Sequence, residues 1–199
     1  LKPTMTTSYE LGLEMKFFHN RLSLDVTYYN QTSRDQIINL ASSSTSGYQY
    51  RLINAGEIQN KGIEVALNGR ALQIKDFAWD FGVNFSKNSN KVKSLTEGMD
   101  YFEIERAIWC NVSVGAEVGK NFGSIIGPDF KRNANGDILI NPETGLPQYD
   151  ETTRTLGNAS WDWTGGFYHT LTYKNFRLSA AFDVKVGADI FSMSMRSAF

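Results

Sequence analysis

One short segment decides the fold class. It reads Phe77-Ala78-Trp79-Asp80-Phe81-Gly82-Val83-Asn84-Phe85-Ser86, with a large apolar residue at every second position and small or polar residues between. A period of two places these two sets on opposite faces of a β-strand. The segment therefore predicts a strand with one apolar and one polar side.

The same alternation recurs in five further segments. Their apolar positions begin at Tyr9, Leu22, Ile63, Trp163 and Phe176. Short turns join the strands in pairs, whereas residues 39–53 and 88–161 form long connections. No long segment has a helical period, so the chain is predicted to be all-β. We expect an antiparallel up-and-down meander of about six strands, with the short turns at one end and the long loops at the other.

The longer connection is too long to lack structure within a compact domain. Asn135-Gly136, flanked by apolar residues, predicts a small hairpin with a primed turn, and residues 141–147 predict a second turn. Residues 133–137 also suggest a calcium loop. Lys131 stands where the first acidic ligand would lie and no Glu closes the loop, so the hairpin is favoured.

Composition and charge exclude several classes of protein. The 199 residues include 20 basic and 21 acidic side chains, a balance that argues against a nucleic-acid binder. No apolar run reaches the roughly 18 residues needed for a membrane-spanning helix. His19, His169 and the single Cys110 predict neither a zinc site nor an internal disulfide. We therefore expect no metal site, no cofactor, no catalytic residue and no enzymatic activity.

Alternation alone leaves two architectures open, because a soluble barrel turns its apolar face inward and a membrane barrel turns it outward. Large aromatic residues lie near the predicted strand ends, and the polar faces mix both signs of charge. Both features favour a membrane barrel with a watery interior. The alternative is a soluble β-rich carbohydrate-binding module.

Several motifs add a specific likeness. They are Leu1-Lys2-Pro3, Tyr9-Glu10-Leu11-Gly12, Asn54-Ala55-Gly56-Glu57-Ile58-Gln59-Asn60-Lys61-Gly62-Ile63-Glu64, and Asp162-Trp163-Thr164-Gly165-Gly166-Phe167. In these motifs and in their order, the chain resembles the barrel of SusC/RagA-type TonB-dependent outer-membrane transporters.

The resemblance implies a 22-stranded transmembrane β-barrel, of which residues 1–199 would supply about six strands. The loops near 39–53 and 88–161 would be extracellular, and the plug domain and C-terminal strands would be absent. The implied function is TonB-dependent import of oligosaccharide or peptide nutrients across the Gram-negative outer membrane. The implied partners are a SusD-like surface lipoprotein acting as a lid, the TonB complex through the absent N-terminal part, outer-membrane lipid, and the glycan or peptide substrate.

Aromatic residues outside the strand alternation are candidates for binding. Exposed rings can stack on sugars or anchor a protein interface. Tyr101 and Trp109 are predicted to contact substrate or partner, and the alternative is that they pack loop against loop.

Overall fold

A computed structural model describes residues 1–41, 50–107 and 110–194 of the chain. The strands in this part are β1 (Met5–Phe17), β2 (Leu22–Arg34), β3 (Ile37–Ala41), β4 (Tyr50–Asn54), β5 (Glu57–Ile74), β6 (Phe77–Ser94), β7 (Tyr101–Arg106), β8 (Ser113–Glu117), β9 (Ser124–Phe130), β10 (Tyr149–Asn158), β11 (Trp163–Tyr173) and β12 (Phe176–Val186). They form three antiparallel sheets.

The largest sheet, called the barrel sheet below, has the strand order β1-β2-β5-β6-β11-β12. It contains every strand that the alternation predicted, in the predicted order, which confirms the all-β antiparallel meander. β5 and β6 are longer than expected, at 18 residues each. Across the described ranges, no helix has the length and apolar character required to traverse a bilayer.

The register of the barrel sheet puts all the predicted apolar positions on one face. Leu13 lies opposite Val26, Val65 opposite Phe85, and Phe167 opposite Phe182. This apolar face is open: Leu13 is 53% exposed and Phe182 58%. A soluble sandwich or barrel would bury these side chains in its interior, so the packing does not match the soluble alternative.

The opposite, polar face of the barrel sheet carries charges of both signs. Glu14 pairs with Lys16 at 2.8 Å, and Arg70 pairs with Asp80 at 2.7 Å. One residue inserted at Ala71 shifts the register, so that Arg70 opposes Asp80 while Leu72 opposes Trp79. Because this bulge reverses the parity of β5, Leu72 rejoins the apolar face.

The described parts of the first predicted loop, 39–41 and 50–53, continue a hairpin. β3 and β4 extend β2 and β5 beyond a bend, where Asp35 and Gly56 both have positive φ, 54° and 82°. A Cβ on Gly56 would lie 2.7 Å from the Ser94 carbonyl oxygen, so only glycine fits there. The side-chain amide of Asn54 stabilises the bend by donating a hydrogen bond to the Asp35 backbone carbonyl at 2.8 Å.

The second predicted loop, 88–161, begins as part of β6 and then folds on itself. β7 to β10 form a four-stranded sheet, called the loop sheet below, in the order β10-β9-β8-β7. Val92 of β6 joins the two sheets, since its amide donates to the Lys120 carbonyl at 3.0 Å and its carbonyl accepts from Gly119 at 2.8 Å. Val92 is 0% exposed, which makes it the centre of this junction.

The predicted hairpin at Asn135-Gly136 is present, but its turn is not of the primed type. A primed type I turn needs positive φ at two successive residues, and of residues 133–137 only Gly136 has it, at 91°. The Asn133 side chain selects another turn by accepting from the amides of Asn135 and Asp137, both at 2.9 Å. The second predicted turn is confirmed, with Gly145 donating to the Asn141 carbonyl at 2.8 Å.

Candidate functional site

The loop sheet carries a cavity of about 520 Å³ on one face, called the loop cavity below. The register brings residues of three strands together at its floor: Ser113 opposes Ile126, and Pro128 opposes Thr153. Larger side chains form its walls: Tyr101, Glu103, Arg106, Tyr149, Asp150 and Glu151. The cavity thus combines two aromatic rings with groups of both charges.

Tyr101 is held in the wall of this cavity by its own sheet. Its ring covers Gly115, where a Cβ would come within 2.3 Å of the ring, and its hydroxyl shares a 2.7 Å hydrogen bond with the Ser113 hydroxyl. The side chain is half-buried. Tyr101 therefore packs within the loop sheet and lines the cavity at the same time.

The other predicted contact residue, Trp109, lies outside the described residues. Its contact with substrate or partner stays a prediction, as does that of Tyr101. Ala107, which precedes Trp109, donates its backbone amide to the carbonyl of Val112, which follows it, at 2.9 Å. This hydrogen bond brings together the ends of the connection between β7 and β8.

Charged groups at the rim of the loop cavity are fixed by hydrogen bonds. Arg106 donates to the Glu103 carboxylate at 2.7 to 3.1 Å, and these bonds, with the attraction between the charges, raise the pKa of Arg106. Bonds from the backbone and side chain of Thr152 lower the pKa of Asp150, helped by the nearby Arg154. Arg106 therefore stays positively charged, and Asp150 negatively charged, near neutral pH.

Sequence reasoning did not find Tyr149 or Arg106. Tyr149 is 66% exposed and its ring lies 5.1 Å from that of Phe130, directly opposite on β9. The sequence held a weak signal for Tyr149. Phe130 and Tyr149 lie on the two sides of the predicted hairpin, where two aromatic residues can form a cross-strand pair. Arg106 gave no signal, because its position depends on a bulge between Glu103 and Glu105.

A second cavity of about 520 Å³, the wall cavity, interrupts the barrel sheet near the long-loop end. Pairing of β6 with β11 ends at Ser86 and Thr164, and β6 is next bridged at Lys91. Asn88, Asn90 and Trp161 line the gap, and Trp161 is 42% exposed. Amide groups both donate and accept hydrogen bonds, and an indole ring offers an apolar surface, so these groups suit a hydroxyl-rich ligand.

Two tyrosines lie across the polar face of the barrel sheet. Tyr168 covers Gly82, where a Cβ would be 2.2 Å from its ring, and donates to the Asn68 side chain at 2.7 Å. In the opposite direction, Tyr29 covers Gly62 and donates to the side chain of Asn88 at 3.2 Å. Both rings are thereby held against the wall.

The side chains of the two histidines lie in different parts of the structure. His19 lies in the turn after β1, and His169 lies on the apolar face with its ring 5.6 Å from that of Phe167. Within the described ranges, no three His, Cys, Asp or Glu side chains are grouped as metal ligands would be.

Comparison with known proteins places these features in a family. The sequence model described as "TonB dependent receptor-like, beta-barrel" matches residues 1–179. TonB-dependent receptor P3 of Formosa agariphila is 27% identical over 98% of this chain and 22% of its own length. TonB-dependent receptor SusC of Bacteroides thetaiotaomicron is 28% identical over 50% of this chain and 10% of its own.

Solved structures of the RagAB peptide transporter have the same fold. One matches 92% of this chain and 21% of its own with a TM-score of 0.71, and the "closed-closed" state matches with a TM-score of 0.73, both at 22% identity. The chain spans about a fifth of the length of the relatives that it matches along most of its own length. These relatives are transporters and receptors rather than enzymes, and they confirm the resemblance drawn from the motifs. Since the family match extends over most of its residues, the chain belongs to the TonB-dependent receptor-like β-barrel family.

Proposed function

We propose that the chain forms part of the wall of a transporter that imports oligosaccharide or peptide nutrients across the Gram-negative outer membrane, driven through TonB. The observation that carries this proposal is the strict separation of faces over six strands. The apolar face contacts lipid and the polar face, with Glu14, Arg70 and Asp80, lines an aqueous passage. Likeness to the TonB-dependent receptor SusC and to the RagAB peptide transporter supports the same class of function.

The two long connections, near 39–53 and 88–161, face the cell exterior in this proposal. The loop sheet then stands above the passage, where cargo enters and where a SusD-like lipoprotein closes as a lid. The plug and the segment that contacts TonB belong to the longer protein. The folding of the long connection into a sheet with buried residues such as Ala116 and Ile125 supports this arrangement, because a lid needs an ordered surface to close upon.

Tyr101 of the loop sheet, and Trp109 in the segment between β7 and β8, are proposed to contact cargo or lid. The fixed Tyr101 ring supports this, because a ring already held in place loses little conformational freedom on binding. The mixed charges of the rim suit either class of cargo.

The test uses the full-length transporter carrying Tyr101→Ala together with Trp109→Ala. We expect uptake of its nutrient, or affinity for the lipoprotein, to fall at least tenfold, since a central aromatic contact contributes about 2 kcal/mol or more. Tyr101→Phe, which keeps the ring, serves as the matched control and should retain uptake. Unchanged uptake and unchanged lipoprotein binding in the double variant would remove both residues from the site.

A second measurement addresses energy coupling. A protonophore, which abolishes the proton gradient, should stop accumulation of cargo in cells carrying the unmodified transporter. Accumulation that continues at the same rate would contradict TonB-driven import and favour a passive pore.

A further inference from the structure

The apolar face of the barrel sheet ends abruptly towards the long-loop end. Two positions beyond Ile63 on β5 lies Lys61, and two positions beyond Phe85 on β6 lies Lys87. Between these lysines and the turn end, the apolar face of the six strands carries no Asp, Glu, Lys or Arg. The first charges that this face meets on the two central strands are thus both positive.

The two residues, called the lysine pair below, are neighbours across the strands. Lys87 lies opposite Ile63, and Lys61 lies opposite Ser89. This makes the lysines diagonal partners on one face, roughly 7–8 Å apart, close enough for two long side chains to reach one anion. Ser89, directly opposite Lys61 and two positions beyond Lys87, adds a hydroxyl beside them.

Neither lysine is neutralised. Both are exposed, and neither forms an ion pair with any of the described residues. The one acid on this part of the face, Glu57, is occupied by Arg34 at 2.9 Å. Asp162 borders the same wall cavity as Lys87 but makes no ion pair with it. The lysine pair is therefore uncompensated, and Lys91, two positions beyond Ser89 on the same face, adds a further positive charge without an ion pair among the described residues.

Aromatic rings fix the height of the lysine pair relative to the bilayer. Phe85 and Trp163 lie side by side, with ring centroids 5.8 Å apart, at the end of the apolar band. Aromatic girdles of membrane barrels lie at the level of the lipid headgroups. Two residues along a strand advance roughly 6–7 Å, so the lysine pair lies at or just above that girdle and faces the lipid.

We propose that Lys61 and Lys87 bind the phosphate of a lipid headgroup in the leaflet at the long-loop end. The position on the lipid-facing side excludes the cargo passage, and the uncompensated charge selects an anion. Basic residues at a membrane surface contribute about 1 kcal/mol each towards anionic lipid, which is about a fivefold change in affinity per lysine. The site does not depend on which cargo is carried, so its test is independent of the uptake experiments.

The experiment measures lipid binding to the full-length transporter in neutral detergent by native mass spectrometry. The probes are a lipid A carrying phosphate and the same lipid A after enzymatic removal of phosphate. Lys61→Gln with Lys87→Gln should weaken binding of the phosphorylated lipid about 30-fold at low salt. Lys61→Arg with Lys87→Arg should retain it.

The matched control removes two positive charges at the opposite rim. Lys75→Gln with Lys174→Gln changes the net charge equally but lies in the short turns, and it should alter binding less than twofold. Folding of each variant is checked by its heat-dependent electrophoretic mobility. If the double variant does not fold, Lys87→Gln alone should give about a fivefold loss.

Three results would overturn the proposal. The first is equal affinity of the Gln double variant and the unmodified protein for phosphorylated lipid A. The second is equal affinity of the unmodified protein for phosphorylated and dephosphorylated lipid. The third is loss of lipid binding in the presence of millimolar inorganic phosphate, which would assign the lysine pair to free phosphate rather than to a headgroup.

Discussion

The barrel sheet and the loop sheet use the same β-alternation and are stabilised in different ways. The loop sheet buries one set of its apolar residues together, with Ala116 at 1% exposure and Ile125 at 6%. The barrel sheet leaves its apolar side chains open, such as Leu178 at 64%. One chain therefore contains a sheet with its own buried apolar core and a sheet whose apolar face is open and, in the proposed function, is covered by lipid.

The two sheets also differ in regularity. In the barrel sheet, β1 and β2 pair without interruption from Met5 to Phe17, and β11 pairs with β12 over its whole length. In the loop sheet, the register shifts between Glu103 and Glu105 and twice along β10. The barrel sheet has two register shifts of its own, both between β5 and β6 and both near the ends of these long strands, at Glu57/Ile58 and Arg70/Leu72. The shifts in the loop sheet fall within short strands, so they interrupt a larger share of its pairing.

The largest expected difference in stability between the two sheets comes from creating a cavity in the core of the loop sheet. Ile125→Ala should destabilise the loop sheet by about 2–5 kcal/mol, because it removes a buried side chain and leaves a cavity. Amide hydrogen exchange should accelerate in β8 and β9 and stay unchanged in β1 and β2. Ile140→Ala, at an exposed position, is the control and should change little. Equal acceleration in both sheets would mean that they unfold as one unit.

Adjacent positions on β6 test the sidedness of the barrel sheet. Val83→Lys places a charge on the apolar face and should cost about 2–4 kcal/mol near the bilayer midplane. Asn84→Lys places the same charge on the polar face and should cost little. The measurement is denaturant-induced unfolding of the full-length barrel in lipid vesicles. A larger cost for Asn84→Lys would reverse the assignment of the two faces.

A third test concerns the close contact between the Tyr168 ring and Gly82 on the polar face of the barrel sheet. Gly82→Ala forces a methyl group into the ring and should cost about 1–3 kcal/mol. Gly12→Ala on the same face should be tolerated, because its nearest neighbour is the Thr27 hydroxyl at 3.8 Å. In unfolding measurements, Gly82→Ala should cost less when Tyr168→Ala is already present, because the Asn68 side-chain oxygen, 2.6 Å from the same Cβ position, can move once Tyr168 no longer donates to it. An undiminished cost in that background would place the strain elsewhere.

The smallest expected effect is the pH dependence of Asp150 in the loop sheet. Its pKa is lowered in the folded protein, so its contribution is complete above the ordinary value of 3.8 and is lost as pH falls through the lower folded value. Asp150→Asn should therefore reduce the stability difference of the loop sheet between pH 7 and pH 2. Thermal unfolding at both pH values measures this, and an identical difference in both proteins would exclude the role.

Much of the barrel sheet could be predicted from the sequence, because period two directly identifies the side of each residue. The end of β5 could not, because the extra residue at Ala71 reverses the parity and the visible alternation stops at Leu67. In the loop cavity, Tyr101 was singled out as an aromatic residue outside the strands. Its neighbour Tyr149 was missed, because four short strands must first pair before the two residues share a face.

The crossings of Tyr29 over Gly62 and of Tyr168 over Gly82 have a mechanical consequence. If a central strand slid by two residues, a side chain would arrive beneath each ring in place of hydrogen: Asn60 or Glu64 under Tyr29, and Asp80 or Asn84 under Tyr168. Each crossing therefore opposes sliding of the neighbouring strands past one another. Since the two tyrosines reach inward from β2 and β11, they brace the intervening strands from both sides.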